Sequence, residues 1–370
     1  MKVLVNGYVG KKITGIGRTL LETIEHIAKI DPTVKFIVVT NYDNDDLFEY
    51  PFPRNVEIVK SPVSKMSSLK NLLFNAFVFP FSALKYQVDL VYYPNFTFIP
   101  FTFRPVIAVI HDMIEFKVNE KFSKLRMLYR KMIVPRMASI SKHIITVSEH
   151  SKKDIVEICG VSEEKISVVY NSVSEKFTHS DGFVNEYGDY MLYVGTVDHP
   201  GKNSFNAVKA FELYRQNHPD SNLKFIICGM PGKGYEQVFS EIQNSSFKDD
   251  IVLTGYVSEA TLSGLYKNAK LFVFISYYEG FGLPVLEAMK CGIPVITSNR
   301  SSLPEVAGDA ALICDPDQIP EIVAAMETIL SSEGTAKQLV EKGFRNLKRF
   351  SWDVTAKETL KVFKLATNLQ

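Results

Sequence analysis

Cysteine is scarce in this chain. Among 370 residues there are four, Cys159, Cys228, Cys291 and Cys314, each standing alone with no CxxC pair. That spacing excludes the disulfide framework of a small secreted domain and a zinc ribbon, and it reads as buried thiols in a reducing compartment. No apolar run approaches the ~20 residues that cross a bilayer. The opening "MKVLVNG" has the character of a strand and a turn and lacks that of a signal peptide, so the expectation is a cytoplasmic protein. Strong charge of one sign is also missing: the net charge is +1. Without a strongly basic balance or a recognition motif, a nucleic-acid partner is not expected. There are no internal repeats and no low-complexity tracts.

The small net charge is unevenly spread. Residues 51–150 hold fourteen Lys/Arg against six Asp/Glu, and residues 1–180 carry an excess of +6 that the remainder offsets with −5. A basic first half suits an anionic surface or an acidic substrate.

What the chain has in abundance is short apolar runs alternating with helical periodicity. "KVLVN", "KFIVVT", "NVEIV", "DLVYYP", "VIAVIHD" and "HIITVS" read as strands, and "TLLETIEHIAKI" as a helix with Leu20, Leu21, Ile24, Ile27 and Ala28 on one face. After residue 189 the pattern restarts and is more regular: "YMLYVGT", "KFIICG", "IVLTGY", "LFVFIS" and "PVITS" are strands separated by helical stretches. Strands apolar throughout, alternating with helices, predict parallel sheets covered on both faces. Two doubly wound α/β domains in series are therefore expected: residues 1–175, residues 185–350, and a last helix over 351–370 that returns to the first domain. The aperiodic stretch 169–189 is the expected linker. Ligands of such sheets lie beyond the carboxyl ends of the strands, and two such domains predict a site in a cleft between them.

The segment "SYYEGFGLPVLEAMKCGIPV" (276–295) carries the chemistry. A strand ends near Ser276 and a helix begins near Pro284, a residue suited to the first helical turn. Gly280 and Gly282 let the backbone adopt positive φ and approach a ligand. The free amides and positive dipole end of the helix suit an anion. Glu279 sits on the loop and Glu287 about one turn into the helix. Ionised carboxylates accept hydrogen bonds from vicinal diols. Two of them flanking an anion site fit two diols joined by phosphate, which is the shape of a nucleotide sugar.

This segment resembles the EX7E signature of retaining glycosyltransferases of family 4, which have the GT-B fold of two Rossmann-like domains facing across a cleft. The likeness is nearly continuous over "EGFGLPVLEAMKCGIPVITSNRSSLPEVAGDAALICDP". It extends through "LTGYVSEATLSGLYKNA", "YVGTVDHPGKN", "IITVSEHSKKDI", "VIHDM", "ITGIGRTLLETI" and "FSWDVTAKETLKVF", and so touches most of the chain. It implies transfer of a sugar from a UDP- or GDP-sugar to a glycan or lipid-linked glycan, as in surface polysaccharide or lipopolysaccharide synthesis. By the same resemblance Glu287 holds the ribose hydroxyls and Glu279 faces the hydroxyls of the transferred sugar. Phe281, Gly282 and Leu283 offer amides to phosphate or sugar, Tyr256 or Val257 meets the base, and Lys202 neutralises the diphosphate. Gly15, Gly17 and Arg18 of "TGIGR" form a glycine loop over phosphate and acceptor. His111, with Asp112 beside it, contacts the transferred sugar.

Lys202 also makes sense from its own surroundings, just before a helix that Asn203 or Ser204 is expected to cap. The chain departs from many relatives in lacking an arginine beside that lysine, where Gly201 stands, and after the preceding glycine, where Thr196 stands; Arg18 and Arg300 are the candidate replacements. No metal is expected. "DND" (43–45) and "DPD" (315–317) match a DxD pattern but read as ordinary loops. The stretch 67–87, with Leu69, Leu72, Leu73, Phe74, Phe77, Phe79, Phe81 and Leu84 among Lys65, Lys70 and Lys85, reads either as a core helix with a solvated face or as a contact with an anionic membrane. Two other functions stay open: a nucleotide-sugar epimerase or sugar phosphorylase on the same architecture, and a non-catalytic sugar-nucleotide binder.

Overall fold

The apolar runs become parallel strands. A computed structural model describes residues 1–8, 15–118, 124–174 and 183–368. The chain divides into two units, one of Met1–Phe116, Ser123–Asn171 and Ser351–Gln370, the other of Ser172–Phe350 with Lys117–Phe122.

The first unit is built on seven parallel strands: β1 (Lys2–Asn6), β2 (Lys35–Asn41), β3 (Val56–Ser61), β4 (Leu90–Tyr93), β5 (Val106–Val109), β6 (His143–Thr146) and β7 (Ile166–Val168), in the order β3-β2-β1-β4-β5-β6-β7. β7 was not foreseen, and neither was the last strand of the second unit, Ala311–Cys314; "ISV" is only three residues long, and the polar run Glu163–Lys165 precedes it. The order reverses between β1 and β4, the switch point of a doubly wound sheet. The amphipathic helix Gly15–Ile30 covers one face with Leu20, Leu21, Ile24, Ile27 and Ala28, all buried. The helix Trp352–Thr367 packs beside it, with Phe363 against Tyr92 (ring centroids 5.1 Å apart) and Phe36 (6.5 Å). Burying a side chain such as fully enclosed Phe363 is worth about 1.5–3 kcal/mol. The Ser351 hydroxyl caps that helix by accepting from the Val354 amide (3.2 Å), and the Thr355 hydroxyl donates to the Tyr170 carbonyl (2.7 Å).

The second unit has six parallel strands: β8 (Tyr190–Val194), β9 (Lys224–Cys228), β10 (Ile251–Gly255), β11 (Leu271–Phe274), β12 (Val295–Ser298) and β13 (Ala311–Cys314), in the order β10-β9-β8-β11-β12-β13. Its switch point lies between β8 and β11. The loops that leave these two strands carry Lys202 and Glu279.

The cysteines fit the expectation of buried thiols only in part. Cys228 and Cys314 are buried, while Cys159 and Cys291 are half-buried. Burial pushes the Cys159 thiol up to about 11 and those of Cys291 and Cys314 up to about 12, so none of these three is a ready thiolate. Among the described residues no helix is long and apolar enough to cross a membrane.

Candidate functional site

In the second unit, β11 ends at Phe274 and the chain turns through Gly282, whose φ of +114° only glycine adopts readily, into the helix Leu283–Lys290. A Cβ on Gly282 would lie 2.7 Å from the Leu303 side chain. Pro284 sits in the first turn, where its missing N–H costs nothing. The turn is pinned from the next loop. The Glu279 amide donates to the Ser301 hydroxyl (2.9 Å), and the Ser302 hydroxyl lies 2.9 Å from the Glu279 carbonyl oxygen and 2.7 Å from that of Phe281. Phe281 is buried edge-on against Phe350 (5.7 Å).

Lys202 leaves β8 on the loop 195–203. Its amide donates to the buried Asp198 carboxylate, and its ammonium lies 5.4 Å from the centre of the Phe274 ring. The same ammonium donates to both oxygens of Glu279, at 2.6 and 2.7 Å. The lysine side chain is 21% exposed and the glutamate 11%. Two residues that the resemblance assigns to different parts of one ligand are thus in direct contact. At the far end of the turn, Glu287 accepts from the buried Tyr266 hydroxyl (2.9 Å). Burial pushes that phenol well above its ordinary value, and the Glu287 carboxylate adds to the shift, so it stays a donor and orients the acid.

Tyr256 and Val257 follow the edge strand β10 after Gly255, which has a φ of +67°; Tyr256 is 74% exposed and Val257 half-buried.

The capping and glycine-loop expectations are corrected, and Arg300 and the two Asp triplets are placed as follows. Neither Asn203 nor Ser204 caps the helix Ser204–Asn217 through its side chain: the Asn203 amide reaches the Pro316 carbonyl (3.1 Å), and the Ser204 hydroxyl donates to the Asp198 carbonyl (2.9 Å). Both side chains close the loop that presents Lys202. Arg300 is held by Asp315 (3.1 Å) and Asp317 (3.3 Å), and Tyr277 also donates to Asp317, so "DPD" serves a polar cluster with the arginine. In "DND", Asp43 accepts from the Ser64 hydroxyl (2.5 Å) and the Lys65 amide (2.7 Å) and ties down a loop. Gly15, Gly17 and Arg18 do not precede the helix as a loop. They form its first turn, where the Thr19 hydroxyl donates back to the Gly15 carbonyl (3.0 Å); Thr14 lies outside the described residues.

In the first unit, β5 ends at Val109, and His111 follows it, buried. Its Nε2 is 2.9 Å from the Pro94 carbonyl just beyond β4, so that nitrogen carries the proton and donates. The Ser151 hydroxyl donates to the His111 carbonyl (3.2 Å). A cavity of about 20 Å³, the size of one water, is lined by His111, Pro94 and Tyr92 together with Thr19 from the glycine-started helix. Asp112 accepts from the Ile114 amide (3.1 Å) and starts the short helix Ile114–Lys117. Asp198, Tyr266, Ser302 and Pro94 were missed from the sequence. Only Asp198 had a local signal, four residues before Lys202.

Burial, and secondarily the nearby Arg130 charge, hold the His111 imidazole below the ordinary value; the Pro94 carbonyl and Asp112 act the other way. Its folded pKa is below that of the unfolded chain, about 6.5. Between the two values unfolding takes up a proton, so this stability is complete above about pH 6.5 and is lost as the pH falls below it. Buried His143 shifts in the same direction. Thermal unfolding followed from pH 7.5 down to 5 should show a falling Tm, and His111→Asn should flatten part of that slope. An unchanged slope would refute the neutral His111.

Comparisons with known proteins agree with this architecture. The glycosyl transferases group 1 model matches residues 175–346, and the glycosyltransferase family 4 model residues 13–177. O-antigen chain mannosyltransferase B of Escherichia coli is 30% identical over 297 residues, 76% of this chain and 76% of its own length. The serotype-specific mannosyltransferase WbdA of Escherichia coli is 25% identical over 68% of this chain, which spans only 32% of that longer protein. Anabaena HepE, solved in complex with UDP and glucose, superposes with a TM-score of 0.73 at 16% identity, over 98% of this chain and 99% of its own. With its two parallel-sheet units, the chain has the GT-B fold and belongs to the glycosyltransferases of family 4.

Proposed function

We propose that this glycosyltransferase moves a sugar from a UDP- or GDP-sugar to a glycan or lipid-linked glycan, with retention at the anomeric carbon, in the assembly of a surface polysaccharide. The observation that carries this reading is the two-pronged Lys202–Glu279 contact at the switch point of the second sheet, beside the amino end of the helix that bears Glu287. Mannose is the favoured sugar, because the two Escherichia coli relatives named above are mannosyltransferases.

On this reading the diphosphate takes the Lys202 ammonium and the amides of Phe281, Gly282 and Leu283. Glu279 is released to accept from sugar hydroxyls. Glu287, already oriented by Tyr266, accepts from the ribose diol. As the bond from the anomeric carbon to phosphate breaks, charge grows on the phosphate oxygens, where a fixed ammonium and a helix end stabilise the transition state most. The acceptor oxygen bonds to the same face of the sugar, and its proton passes to the departing phosphate. The protein then needs no acid–nucleophile carboxylate pair, and a neutral His111 is compatible with this path. Charge neutralisation by Lys202 and the helix also supports a metal-independent reaction.

The test is a panel of UDP-, GDP-, ADP- and dTDP-sugars. The true donor should raise Tm by mass action, and the product formed from it should show the donor's anomeric configuration by NMR. Activity should survive EDTA. Inversion, loss of activity with EDTA, or an epimerised donor formed without acceptor would each overturn the corresponding part.

A further inference from the structure

Two loops of the first unit hold the His111 imidazole, and one arginine touches both. The loop that leaves β4 supplies the Pro94 carbonyl to which the ring donates, and it presents Phe96 two residues further on. The loop that leaves β5 carries His111 and runs into the short helix that bears Glu115. Arg130 stands on the helix Lys124–Ile140. Its Nε lies 3.3 Å from the Glu115 carboxylate, and its guanidinium is centred 3.8 Å from the middle of the Phe96 ring. The same helix holds the β4 loop a second time, where Arg136 donates to the Pro100 carbonyl (2.8 Å).

The pair is well removed from water: Glu115 is 3% exposed and Arg130 17%. Apolar side chains of similar volume often hold two segments together as well as a buried ion pair does. What the pair adds is direction. The bond to Glu115 sets the guanidinium in its plane, and the ring face sets its tilt, so one loop is placed relative to the other. The backbone around His111 is already fixed elsewhere, since the Thr146 hydroxyl donates to the Ile110 carbonyl (2.7 Å) and the Ser151 hydroxyl to that of His111. The ring's acceptor, on the β4 loop, is the part that Arg130 secures.

We propose that Arg130, through Glu115 and Phe96, is a positioning residue for His111: it fixes the Pro94 carbonyl relative to the ring and so holds the imidazole in one rotation and one tautomer. The arginine charge acts in the same sense. Arg130 and Asp112 are the charges that act on the ring, while Thr19, Thr23, Tyr92, Asn171, Thr355 and Thr359, which line the cavity beside it, carry none. A cation close by disfavours the imidazolium. The placement of the ring is independent of the reaction; its consequence for turnover rests on the function proposed above.

The test uses the full chain labelled with 13C,15N-histidine. Its seven histidines give separate ring signals, and His111→Asn identifies the one that belongs to His111. Arg130→Met alone should lower Tm, because it strands the Glu115 carboxylate; Arg130→Met with Glu115→Gln strands no charge and should recover Tm. In that double variant the His111 nitrogen shifts should move from a fixed Nε2–H tautomer towards the average of two, and the ring should protonate at higher pH than in wild type. With the donor found by the sugar panel, kcat should fall at least ~10-fold while the donor KM stays within about threefold, as for a misplaced group. Phe96→Leu cuts the link to the β4 loop and strands no charge, so it carries the same tautomer readout if the double variant does not fold. Unchanged His111 signals in the folded variants overturn the proposal and leave the pair as a brace for the fold alone. Altered signals with wild-type turnover uphold the positioning and remove His111 from the reaction instead.

Discussion

Lys202→Met should lower kcat by about 10²–10³-fold, the usual cost of removing one preorganised contact to developing charge, roughly 3–4 kcal/mol. The variant also strands the Glu279 carboxylate, 11% exposed, without its cation. Loss of activity in the single variant therefore has two possible sources, and a double-mutant cycle separates them. Lys202→Met should lower Tm, because a mostly buried carboxylate loses its partner. Adding Glu279→Gln removes that stranded charge and should restore Tm. It should not restore turnover, because the ammonium that meets the diphosphate is still gone. If the double variant regains wild-type kcat, Lys202 serves only to neutralise Glu279 and the proposed chemistry fails at its centre.

The second large effect is on stability. Gly229→Ala would place a Cβ 1.7 Å from the Gly195 carbonyl oxygen, a backbone atom that no rotamer change can move. The two glycines follow β9 and β8 at the carboxyl end of the sheet where the Lys202 loop begins, and the Gly195 amide donates to the Cys228 carbonyl (2.9 Å). Relief requires the chains beyond two hydrogen-bonded strands to separate. The expected cost is at least ~3 kcal/mol, a fall in Tm of the order of 6–12 °C. Gly160→Ala is the control. It has a positive φ of +63° at a helix end and nothing within 4 Å of the new Cβ, so it should cost only about 1 kcal/mol. Equal effects of the two substitutions, read by thermal unfolding, would mean that the close approach of the strand ends is not what the glycine permits.

The doubly wound units were readable because buried parallel strands are apolar throughout and helices repeat every 3.6 residues, both properties of neighbours along the chain. The turn after β11 was readable for the same reason: "LFVF", Gly282 and Pro284 spell strand, positive φ and helix start within fourteen residues. The resemblance added roles to positions and could not say which side chains touch. It separated Lys202 from Glu279, which the fold joins across 77 positions. It made a loop of glycines that form a helix turn, and it left open a stripe of leucines and phenylalanines whose composition suits a core or a surface equally.

Short-range patterning in the amino-acid order was thus sufficient to determine most of the strands and the layered class, because each depends on residues a few positions apart, and the order of its motifs pointed to the family. Tertiary structure alone decided that Lys202 grips Glu279, that Tyr266 aims Glu287, that Pro94 holds the proton position of His111, and which face of 68–85 meets the surroundings. Those outcomes depend on distances between segments dozens of residues apart, set by how the sheets assemble, and no local periodicity encodes them.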